Sequence, residues 1–456
     1  MIYLIVAVVA IAGFLFGFDE GVIAGALHLL KSQFDIGPLA EGIMTSAVPF
    51  GAFFGALVGG RLAEPIGRRK LLVFAALLFT VGAALAAAAV SVQFLTAARL
   101  VLGIAIGIAG MVAPLYISES APAQKRGMFV SVYQLAITLG ILGAYMVGYL
   151  VSDSWRLMFG LGMVPALALL VGILILSDTP RWLALNNRRD EARATIARIH
   201  GVAPNAAVVT EELAEIARTA DQASRGSGLS ALLTPMVRPA LIVGMGLFLL
   251  QQLSGINAVI YYAPQVFQLS GFGSVETQVL ATVGVGVVNV AMTVVGMGLI
   301  DRIGRRRLLM IGFAGTAISL GMIAVASTID SPALHYVALV GLALYIASFA
   351  VSLGPLPFVV MSEIFPLHVR GLGMSIASLS NWGFNFLIVL SFPVLVAAIG
   401  LAGVFTIYAL ICVIGFIFAV RMVPETKGLT LEAIEDHLRS GRSLRSLGRG
   451  SLAAAR

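Results

Sequence analysis

Apolar runs of about 20 residues recur along the whole chain, and each is long enough to cross the ~30 Å hydrocarbon core of a bilayer as a helix. The mean hydropathy of the 456 residues is +1.00, and only 11% of them are charged. A soluble protein of this size needs more polar surface to stay in solution. The sequence therefore predicts an all-α, polytopic membrane protein.

The apolar runs predict twelve membrane spans, with Gly and Pro inside them as spanning helices tolerate. The N-terminus lacks the basic segment and the small-residue cleavage site of a signal peptide, so its apolar run is predicted to be the first spanning helix. The predicted spans cover residues 3–29, 42–63, 71–91, 95–117, 128–151, 156–177, 239–268, 276–300, 307–328, 336–361, 372–397 and 401–422.

The composition changes between the sixth and seventh predicted spans. This segment carries a dense mixture of both charge signs and includes two stretches with the pattern of amphipathic helices, NRRDEARATIARIHG and VVTEELAEIARTA. It divides the chain into two pseudo-symmetric six-helix halves. The predicted domains are an N-terminal transmembrane half (1–177), a cytoplasmic helical linker domain (178–238), a C-terminal transmembrane half (239–423) and a cytoplasmic tail (424–456).

The basic residues predict the orientation in the membrane. If both termini are cytoplasmic, all but three of the 29 Lys and Arg residues lie on the cytoplasmic side. The exceptions are Lys31 and Arg156, outside, and Arg99, inside a span. We therefore expect a multi-pass protein of the inner (plasma) membrane with both termini in the cytoplasm. The excess of basic residues follows this topology, so it does not indicate nucleic-acid binding.

The two halves repeat each other in their charged loops. A Gly-Arg-Arg loop follows span 2 and another follows span 8, and their glycines, Gly67 and Gly304, are 237 positions apart. An acid–turn–Arg-Gly motif follows spans 4 and 10, and its acids, Glu119 and Glu363, are 244 positions apart. Six-helix halves related in this way place a substrate site near the middle of the membrane, between the halves.

These loops predict a cytoplasmic gate. Acids and arginines of the two halves would pair when the cavity opens outward and separate when it opens inward, and partly exposed pairs are worth about 0–1 kcal/mol each. For a single loop, topology signalling alone is the alternative. The predicted gate residues are Arg68, Arg69, Glu119 and Arg126 in the first half and Arg305, Arg306, Glu363 and Arg370 in the second.

An acidic residue lies inside the first predicted span. Asp19 is embedded in an apolar pattern, and a carboxylate at that depth is costly unless it faces a wet cavity, is protonated or pairs with a cation. Arg99, in the fourth span, is placed to pair with it, because both lie in the outer half of the predicted bundle. The alternative is that Asp19 and Glu20 mark the end of a short first helix near the lipid headgroups.

Several motifs, in this order and spacing, resemble those of the sugar porter family of the major facilitator superfamily. The resemblance covers nearly the whole chain, and it implies the twelve-helix carrier fold, alternating access and monosaccharide substrates. In the first Gly-Arg-Arg loop, Glu64-Pro65 stands where the family usually has Asp-Arg, which weakens that half of the predicted gate. The motifs are FGFDEGVIAGAL, the two Gly-Arg-Arg loops, PLYISESAPAQKRG, TPRWL, QQLSGINAVIYYAP, GPLPFVVMSEIFP and PETKGLTLEAIE.

Amides inside the spans are the candidate sugar-binding residues. Sugar hydroxyls both donate and accept hydrogen bonds, as Gln and Asn side chains do, and the apolar faces of a sugar ring stack on aromatic rings. Hydrogen bonding between helices is the alternative for each amide. The candidates are Gln134 in span 5, Gln251, Gln252 and Asn257 in span 7, Asn289 in span 8, and Asn381 and Asn385 in span 11 beside Trp382.

The family resemblance assigns sugar binding to these amide positions and adds Phe16, Ile137 and Gly354. It also adds Phe358, where the family often has Trp, because Phe keeps a stacking face but lacks the indole donor. Gln251 and Asn257 do not share one face of a regular helix, and the glycine between them, Gly255, permits a break that would let both point inward.

The resemblance also bears on energy coupling. Family members that are proton symporters have an acid at the position of Asp19, whereas passive facilitators commonly have an uncharged residue. We therefore expect Asp19 to take a proton from outside and release Arg99, which would couple proton entry to sugar entry.

Three other functions remain open: a passive sugar facilitator of the same fold, a membrane sugar sensor and, on fold alone, a drug antiporter. The sequence contains no nucleophile–base constellation and no metal-ligand spacing, so we expect neither an enzyme nor a bound metal or cofactor. The expected partners are a monosaccharide, a proton and the lipid bilayer. Because the two-half repeat is complete, one chain is expected to form the whole pathway as a monomer.

Overall fold

The computed structural model describes residues 1–122, 125–223, 232–328, 334–366, 369–429, 434, 437–438, 440 and 444–447. Every regular element in these residues is helical. By their contacts they divide into two compact units, one comprising Met1–Ile36 and Ile43–Arg225 and the other Gly37–Gly42 and Gly226–Arg456. The finer domain boundaries given above stay a prediction.

The first unit contains the helices expected of the N-terminal half and of the linker. Span 6 consists of two helices, α6 and α7, that meet at Gly162. The helices are α1 (Ile2–Phe34), α2 (Pro38–Ile66), α3 (Arg68–Ala87), α4 (Val92–Ser120), α5 (Arg126–Leu150), α6 (Trp155–Leu161), α7 (Met163–Ile175), α8 (Pro180–Leu185), α9 (Arg189–His200) and α10 (Ala207–Ala223).

The second unit has more interruptions in its spans than the first. Span 7 is formed by α11 and α12, and span 10 by α15, a π-helix and α16. The elements are α11 (Arg238–Leu253), α12 (Ile256–Leu269), α13 (Val275–Ile303), α14 (Arg305–Ala326), α15 (Leu334–Ser348), the π-helix (Phe349–Leu353), α16 (Leu356–Ile364), α17 (Arg370–Arg421) and a short 3₁₀ turn (Leu444–Ser446).

Eleven helices in the described residues are long and apolar enough to cross a membrane. The last of them, Leu372–Arg421, has 50 residues and would be ~75 Å long, which is more than twice the hydrocarbon thickness. It is interrupted at Gly400, whose φ of 71° and ψ of 172° are not helical. The two parts, 370–399 and 401–421, correspond to the last two predicted spans, so the described residues contain twelve helical segments of spanning length.

Close helix contact in the first unit depends on glycine. A Cβ atom on Gly17 would lie 1.9 Å from the carbonyl oxygen of Ile137, so the backbones of α1 and α5 touch at this point. Gly107 likewise brings α4 against α2, where its Cβ would lie 2.2 Å from the carbonyl oxygen of Ala52. Small residues allow membrane helices to approach at this distance.

The predicted break in span 7 is confirmed. Gly255 has φ 88°, in the left-handed region that favours glycine, and it separates α11 from α12. In span 10, the N–H of Gly354 donates to the carbonyl oxygen of Phe349 at 3.0 Å, which closes the π-turn directly before Pro355. Both irregular backbone segments therefore lie inside membrane spans, next to the residues predicted to bind substrate.

The two amphipathic stretches of the linker are helical, as predicted. They form α9 and α10, which pack through Ile196, Ala197 and Val209. The His200 side chain at the end of α9 meets Glu212 of α10, with 2.8 Å between Nε2 and Oε2. The sequence Ser224-Arg225-Gly226-Ser227-Gly228 predicts a flexible break after these helices, and it lies outside the described residues.

Candidate functional site

The first unit brings Asp19 of α1 and Arg99 of α4 together in its interior. Their side chains are 2% and 0% exposed, and 3.9 Å separates Asp19 Oδ2 from Arg99 Nη2. This distance allows strong electrostatic attraction but no hydrogen bond. Asp19 Oδ2 has no hydrogen-bond partner among the described residues. The carboxylate therefore lies next to a cation and keeps an acceptor oxygen unused.

Other groups of the first unit hold the Arg99 guanidinium. Arg99 Nε donates to the carbonyl oxygen of Met44 at 3.2 Å, and Nη2 donates to that of Thr45 at 3.5 Å, both in α2. The Phe159 ring of α6 lies 5.8 Å from the guanidinium carbon, within the range of a cation–π contact. Arg99 is thus anchored to α2 and α6 independently of Asp19.

In the second unit, amides form a chain of hydrogen bonds between spans 7 and 11. Asn257 Nδ2 donates to Gln252 Oε1 at 2.7 Å, and Gln252 Nε2 donates to Asn381 Oδ1. The break at Gly255 makes the first contact possible, because it turns Asn257 of α12 back toward Gln252 of α11. Gln252 is the centre of this amide chain, with its donor and its acceptor both engaged.

Gln251 connects span 7 to span 10. Its Nε2 donates to the carbonyl oxygens of Leu353 and Gly354, at 2.7 Å and 3.2 Å, where the π-helix ends. Its Oε1 has no hydrogen-bond partner among the described residues. Asn385, one turn after Asn381 on α17, is 2% exposed and its Oδ1 also lacks a partner there. The amide oxygens of Gln251 and Asn385 are therefore available to accept hydrogen bonds.

The remaining predicted sugar-binding side chains of the second unit are those of Trp382, Asn289 and Phe358. Trp382 is buried and follows Asn381 directly. Asn289 of α13 is buried, and its carbonyl oxygen accepts a hydrogen bond from Thr293. Phe358 packs against Phe248, with ring centroids 4.8 Å apart, and it is 40% exposed.

In the first unit, the predicted sugar-binding residues lie on α1 and α5. Phe16 and Gln134 are half-buried, and Ile137 is buried where α5 touches α1 at Gly17. Gln134 is the sole amide predicted to bind substrate in this unit. Among the buried groups described above, the first unit thus contributes an acid and an arginine, and the second unit contributes amides.

Two of the predicted gate residues of the first unit, Arg68 and Glu119, form a cluster with Asp178 and Thr179, which we call the first charged cluster. Arg68 Nη2 donates to Glu119 Oε1 at 2.9 Å, and the Thr179 hydroxyl donates to Glu119 Oε2 at 2.6 Å. The Arg68 and Glu119 side chains are each only 6% exposed. The Arg69 side chain donates to the carbonyl oxygens of Ile173 and Leu174 at the end of α7 and not to an acid.

Asp178 caps the N-terminus of α3. Its Oδ1 accepts from the backbone N–H of Arg68 at 3.1 Å, and its Oδ2 accepts from that of Arg69 at 3.3 Å. Burial raises the pKa of Asp178, and the backbone N–H groups of Thr179, Arg69 and Arg68 act in the opposite direction. A carboxylate at this place satisfies helix donors that otherwise have no partner.

The second charged cluster, Arg305, Glu363, Glu425 and Thr426, repeats this arrangement in the second unit. Arg305 Nη2 donates to Glu363 Oε1 at 2.8 Å, and the Thr426 hydroxyl donates to Glu363 Oε2 at 2.5 Å. Glu425 accepts from the backbone N–H groups of Arg305 and Arg306 at 3.0 Å and 3.2 Å. Each half therefore ties the helix after its Gly-Arg-Arg loop to an acid–threonine pair from a later segment.

Comparison with known proteins identifies the family. The family model described as "Sugar (and other) transporter" matches residues 5–438. The chain belongs to this family. The predicted membership is thereby confirmed, and the protein is a multi-pass membrane transporter.

Relatives and solved structures match this transporter over nearly its whole length. The galactose-proton symporter of Escherichia coli is 38% identical to this chain, and the match covers 98% of this chain and 97% of the symporter. The D-xylose transporter of Levilactobacillus brevis is 38% identical, covering 94% of each. The inward-open structure of the xylose transporter XylE from E. coli has a TM-score of 0.82 at 30% identity, covering 96% of this chain and 99% of its own. The predicted fold class, twelve helices in two halves, is confirmed.

Several predictions about the transporter's site stay predictions. The roles of the residues in sugar binding and proton coupling are untested, as is pairing between gate residues of opposite halves. Within each half, an arginine and an acid of the predicted gate do pair. Helices α5 and α17 begin at Arg126 and Arg370, whose side chains lie outside the described residues.

Sequence reasoning missed the acid–threonine pairs of the charged clusters. Asp178-Thr179 and Glu425-Thr426 are 247 positions apart, a third regular offset beside the two found in the loops. Glu425-Thr426 lies in the motif PETKGLTLEAIE, and Asp178 directly precedes the motif TPRWL, which begins with Thr179. The internal repeat is the signal that could have found both pairs. The carbonyl groups that hold Arg99 have no such signal, because every residue carries one.

Proposed function

We propose that this transporter is a proton-coupled monosaccharide symporter that imports its substrate by alternating access, with both termini in the cytoplasm. The observation that carries the proposal is the buried Asp19 carboxylate, 3.9 Å from a buried arginine and with one oxygen lacking a hydrogen-bond partner among the described residues. The printed names of the relatives, a galactose-proton symporter and a D-xylose transporter, support a hexose or a pentose as substrate.

Asp19 would bind the transported proton. Protonation makes the carboxyl neutral, which removes its attraction to Arg99 and lowers the cost of separating the two groups. The guanidinium would keep its hydrogen bonds to the carbonyl groups of Met44 and Thr45 and its contact with Phe159. The pair would therefore separate without leaving a buried arginine unsolvated.

The amides of the second unit would bind the sugar. A hydroxyl that donates to Gln251 Oε1 or Asn385 Oδ1 would satisfy an acceptor that lacks a partner in the described residues. Gln252 and Asn257 bond to each other and would exchange these hydrogen bonds for bonds to the sugar. Neutral amides suit this purpose because they donate and accept at small cost inside the membrane.

The two charged clusters would act on the cytoplasmic side as parts of the gate. Each fixes the helix that follows a Gly-Arg-Arg loop, and the predicted pairing between halves would form and break as the cavity changes sides. Because the chain carries both halves, we propose that one copy suffices for transport.

Transport assays in liposomes test this proposal. The purified protein would be reconstituted, and internal pH followed after glucose, galactose, xylose or arabinose is added outside. We expect one of these sugars to acidify the interior, and we expect Asp19→Asn to abolish the acidification while labelled sugar still equilibrates. If labelled sugar equilibrates in the wild type with no pH change, the protein is a passive facilitator and the coupling proposal is wrong.

A further inference from the structure

Two helices of the second unit present exposed apolar stripes that end in a cation. On α14, Arg307 is exposed, and Ile311 and Ile318 lie one and three turns further along the same face, 56% and 62% exposed. In a spanning helix, an exposed apolar stripe faces lipid, so Arg307 lies where the lipid-facing surface of α14 ends.

The last part of α17 also has an exposed apolar stripe that ends in an arginine, but here the apolar residues precede the arginine in the sequence. Arg421 is exposed, and the exposed residues Ile417 and Ile414 precede it by one and two turns. The two helices pack together: a Cβ on Gly415 would lie 2.3 Å from the Phe313 ring, and Arg306 donates to the carbonyl oxygen of Val420. The two cations therefore lie at neighbouring helix ends, each above a lipid-facing stripe.

These cations are not neutralised within the described residues. Neither Arg307 nor Arg421 has an acid within 4.0 Å there, and the same holds for the exposed Arg302. Lys427 joins the group because its Nζ donates to the carbonyl oxygen of Arg302 at 2.7 Å. We call Arg302, Arg307, Arg421 and Lys427 the basic rim.

Three described acids near the basic rim, Asp301, Glu363 and Glu425, are already engaged. Asp301 and Glu363 both accept hydrogen bonds from Arg305 side-chain nitrogens. Glu425 accepts from backbone N–H groups at the start of α14 and from that of Lys427. Within the described residues, the basic rim therefore presents positive charge without an acidic partner, at the start of α14 and the end of α17.

The first unit shows that the fold does not require this charge. The Gly-Arg-Arg loops align the two units at an offset of 237 positions, and the acid–threonine pairs Asp178-Thr179 and Glu425-Thr426 align them at an offset of 247 positions. In this alignment Lys70 corresponds to Arg307, but Leu174 corresponds to Arg421. Arg302 and Lys427 correspond to Pro65 and Pro180. One cation of the four is therefore present in the first unit.

We propose that the basic rim is a binding site for the phosphate of an anionic phospholipid, whose acyl chains lie along the stripes of α14 and α17. Guanidinium groups bind phosphate through two parallel N–H donors, and a cluster of cations at the ends of membrane helices is selective for anionic headgroups. The exposed apolar stripes favour a lipid over a free anion, since they continue directly from the cations. The site is independent of whether transport is coupled to protons.

Native mass spectrometry of the full chain tests the site. Protein would be released from membranes containing equal amounts of phosphatidylglycerol and phosphatidylcholine, and the retained lipids compared. We expect the wild type to retain phosphatidylglycerol preferentially. In the double variant Arg307→Gln, Arg421→Gln that preference should fall by about tenfold or more, because each cation near an anionic headgroup contributes severalfold in affinity.

Two further variants make the test specific to this place. Lys70→Gln, at the corresponding position of the first unit, should leave the retention unchanged. Leu174→Arg adds to the first unit the cation that it lacks, and it should increase the number of retained phosphatidylglycerol molecules. This gain does not depend on whether the double variant folds.

Three results would overturn the proposal: equal retention in the wild type and the double variant, an equal loss in Lys70→Gln, or complete displacement of phosphatidylglycerol by inorganic phosphate. The last result would mean a site for free anions. Sugar uptake in phosphatidylcholine liposomes should be the same in the wild type and the double variant, which would show that the substituted protein is folded.

Discussion

The two halves of this transporter bury different kinds of polar group. The first half contains Asp19 and Arg99, which are almost completely buried and only 3.9 Å apart. The second half contains the amide chain Asn257–Gln252–Asn381, in which no member carries a charge. Buried charges are far more costly in a membrane than buried amides, so a charged pair is expected only where a change of charge is needed.

This difference indicates a division of labour. Binding a proton changes the charge of a carboxyl group, whereas binding a sugar changes hydrogen bonds and no charge. The first half has the group suited to the proton, and the second half has the groups suited to the sugar. We therefore expect substitutions in the first half to change proton coupling and substitutions in the second half to change sugar binding.

Asp19→Asn is expected to have the largest effect. The variant cannot bind a proton at this position, so accumulation of sugar against its gradient should fall to equilibration, while exchange of labelled sugar across the membrane continues. Uptake into energised vesicles and counterflow measure the two properties. Glu20→Gln, one residue along and also buried, is the matched control and should still accumulate sugar. Equal loss of accumulation in both variants would contradict the assignment.

Gln252→Ala should weaken sugar binding without removing coupling. It deletes the amide whose bonds to Asn381 and Asn257 would be exchanged for bonds to the sugar. The loss of two neutral hydrogen bonds to the sugar, at about 0.5–1.5 kcal/mol each, predicts a KM increase of about tenfold. The number of protons per sugar should not change. Initial rates and proton fluxes over a range of sugar concentrations test this. Asn289→Ala is the control of smaller effect, because the Asn289 side chain makes no hydrogen bond to the amide chain in the described residues. A normal KM in Gln252→Ala would remove the amide chain from the sugar site.

The charged clusters extend the comparison to the helix ends. Arg68→Met leaves a Glu119 carboxylate that is 6% exposed, and breaking a buried pair costs about 3 kcal/mol. Arg305→Met leaves Glu363, which is 20% exposed and better solvated, so we expect about half that cost. Thermal unfolding in detergent should therefore show a larger decrease in Tm for Arg68→Met. The reverse order would mean that burial does not determine the strength of these clusters.

The smallest effect is expected where the two clusters differ in sequence. Asp301 gives Arg305 a further partner at 3.1 Å, but its side chain is 82% exposed, so Asp301→Asn should cost less than about 1 kcal/mol. In the first loop, the backbone carbonyl of Glu64 accepts from Trp182 Nε1, and the exposed carboxylate of Glu64 makes no ion pair among the described residues. Glu64→Gln should leave the Tm unchanged. A large effect of either substitution would show that the family's loop pattern matters more than exposure.

Much of the fold followed from simple periodic features of the sequence. Apolar runs of spanning length gave the twelve crossings, including the division of the 50-residue helix close to Gly400. The glycine between Gln251 and Asn257 predicted the break in span 7, because glycine adopts a left-handed backbone conformation without strain. These features are local in the sequence, which is why sequence reasoning reached them.

Features built by backbone groups or by distant segments were not reached. The hydrogen bonds of Arg99 go to carbonyl groups of Met44 and Thr45, and no side chain marks a carbonyl group as a partner. The π-helix before Gly354 bonds to a distant segment, because the Ser352 hydroxyl donates to the carbonyl oxygen of Leu308 at 2.8 Å. Asp178 and Glu425 cap helices that begin more than one hundred positions earlier in the chain, so only the internal repeat could have connected them.

The most direct test of the division of labour is the sugar affinity of the purified protein as a function of pH. If a proton on Asp19 favours sugar binding in the second half, linkage requires the affinity to be highest at low pH and to weaken as pH rises. Titration calorimetry on the wild type and Asp19→Asn would measure this. We expect the Kd of the wild type to depend on pH and the Kd of Asp19→Asn to be independent of pH. The same pH dependence in both proteins would contradict the proposal that Asp19 binds the transported proton.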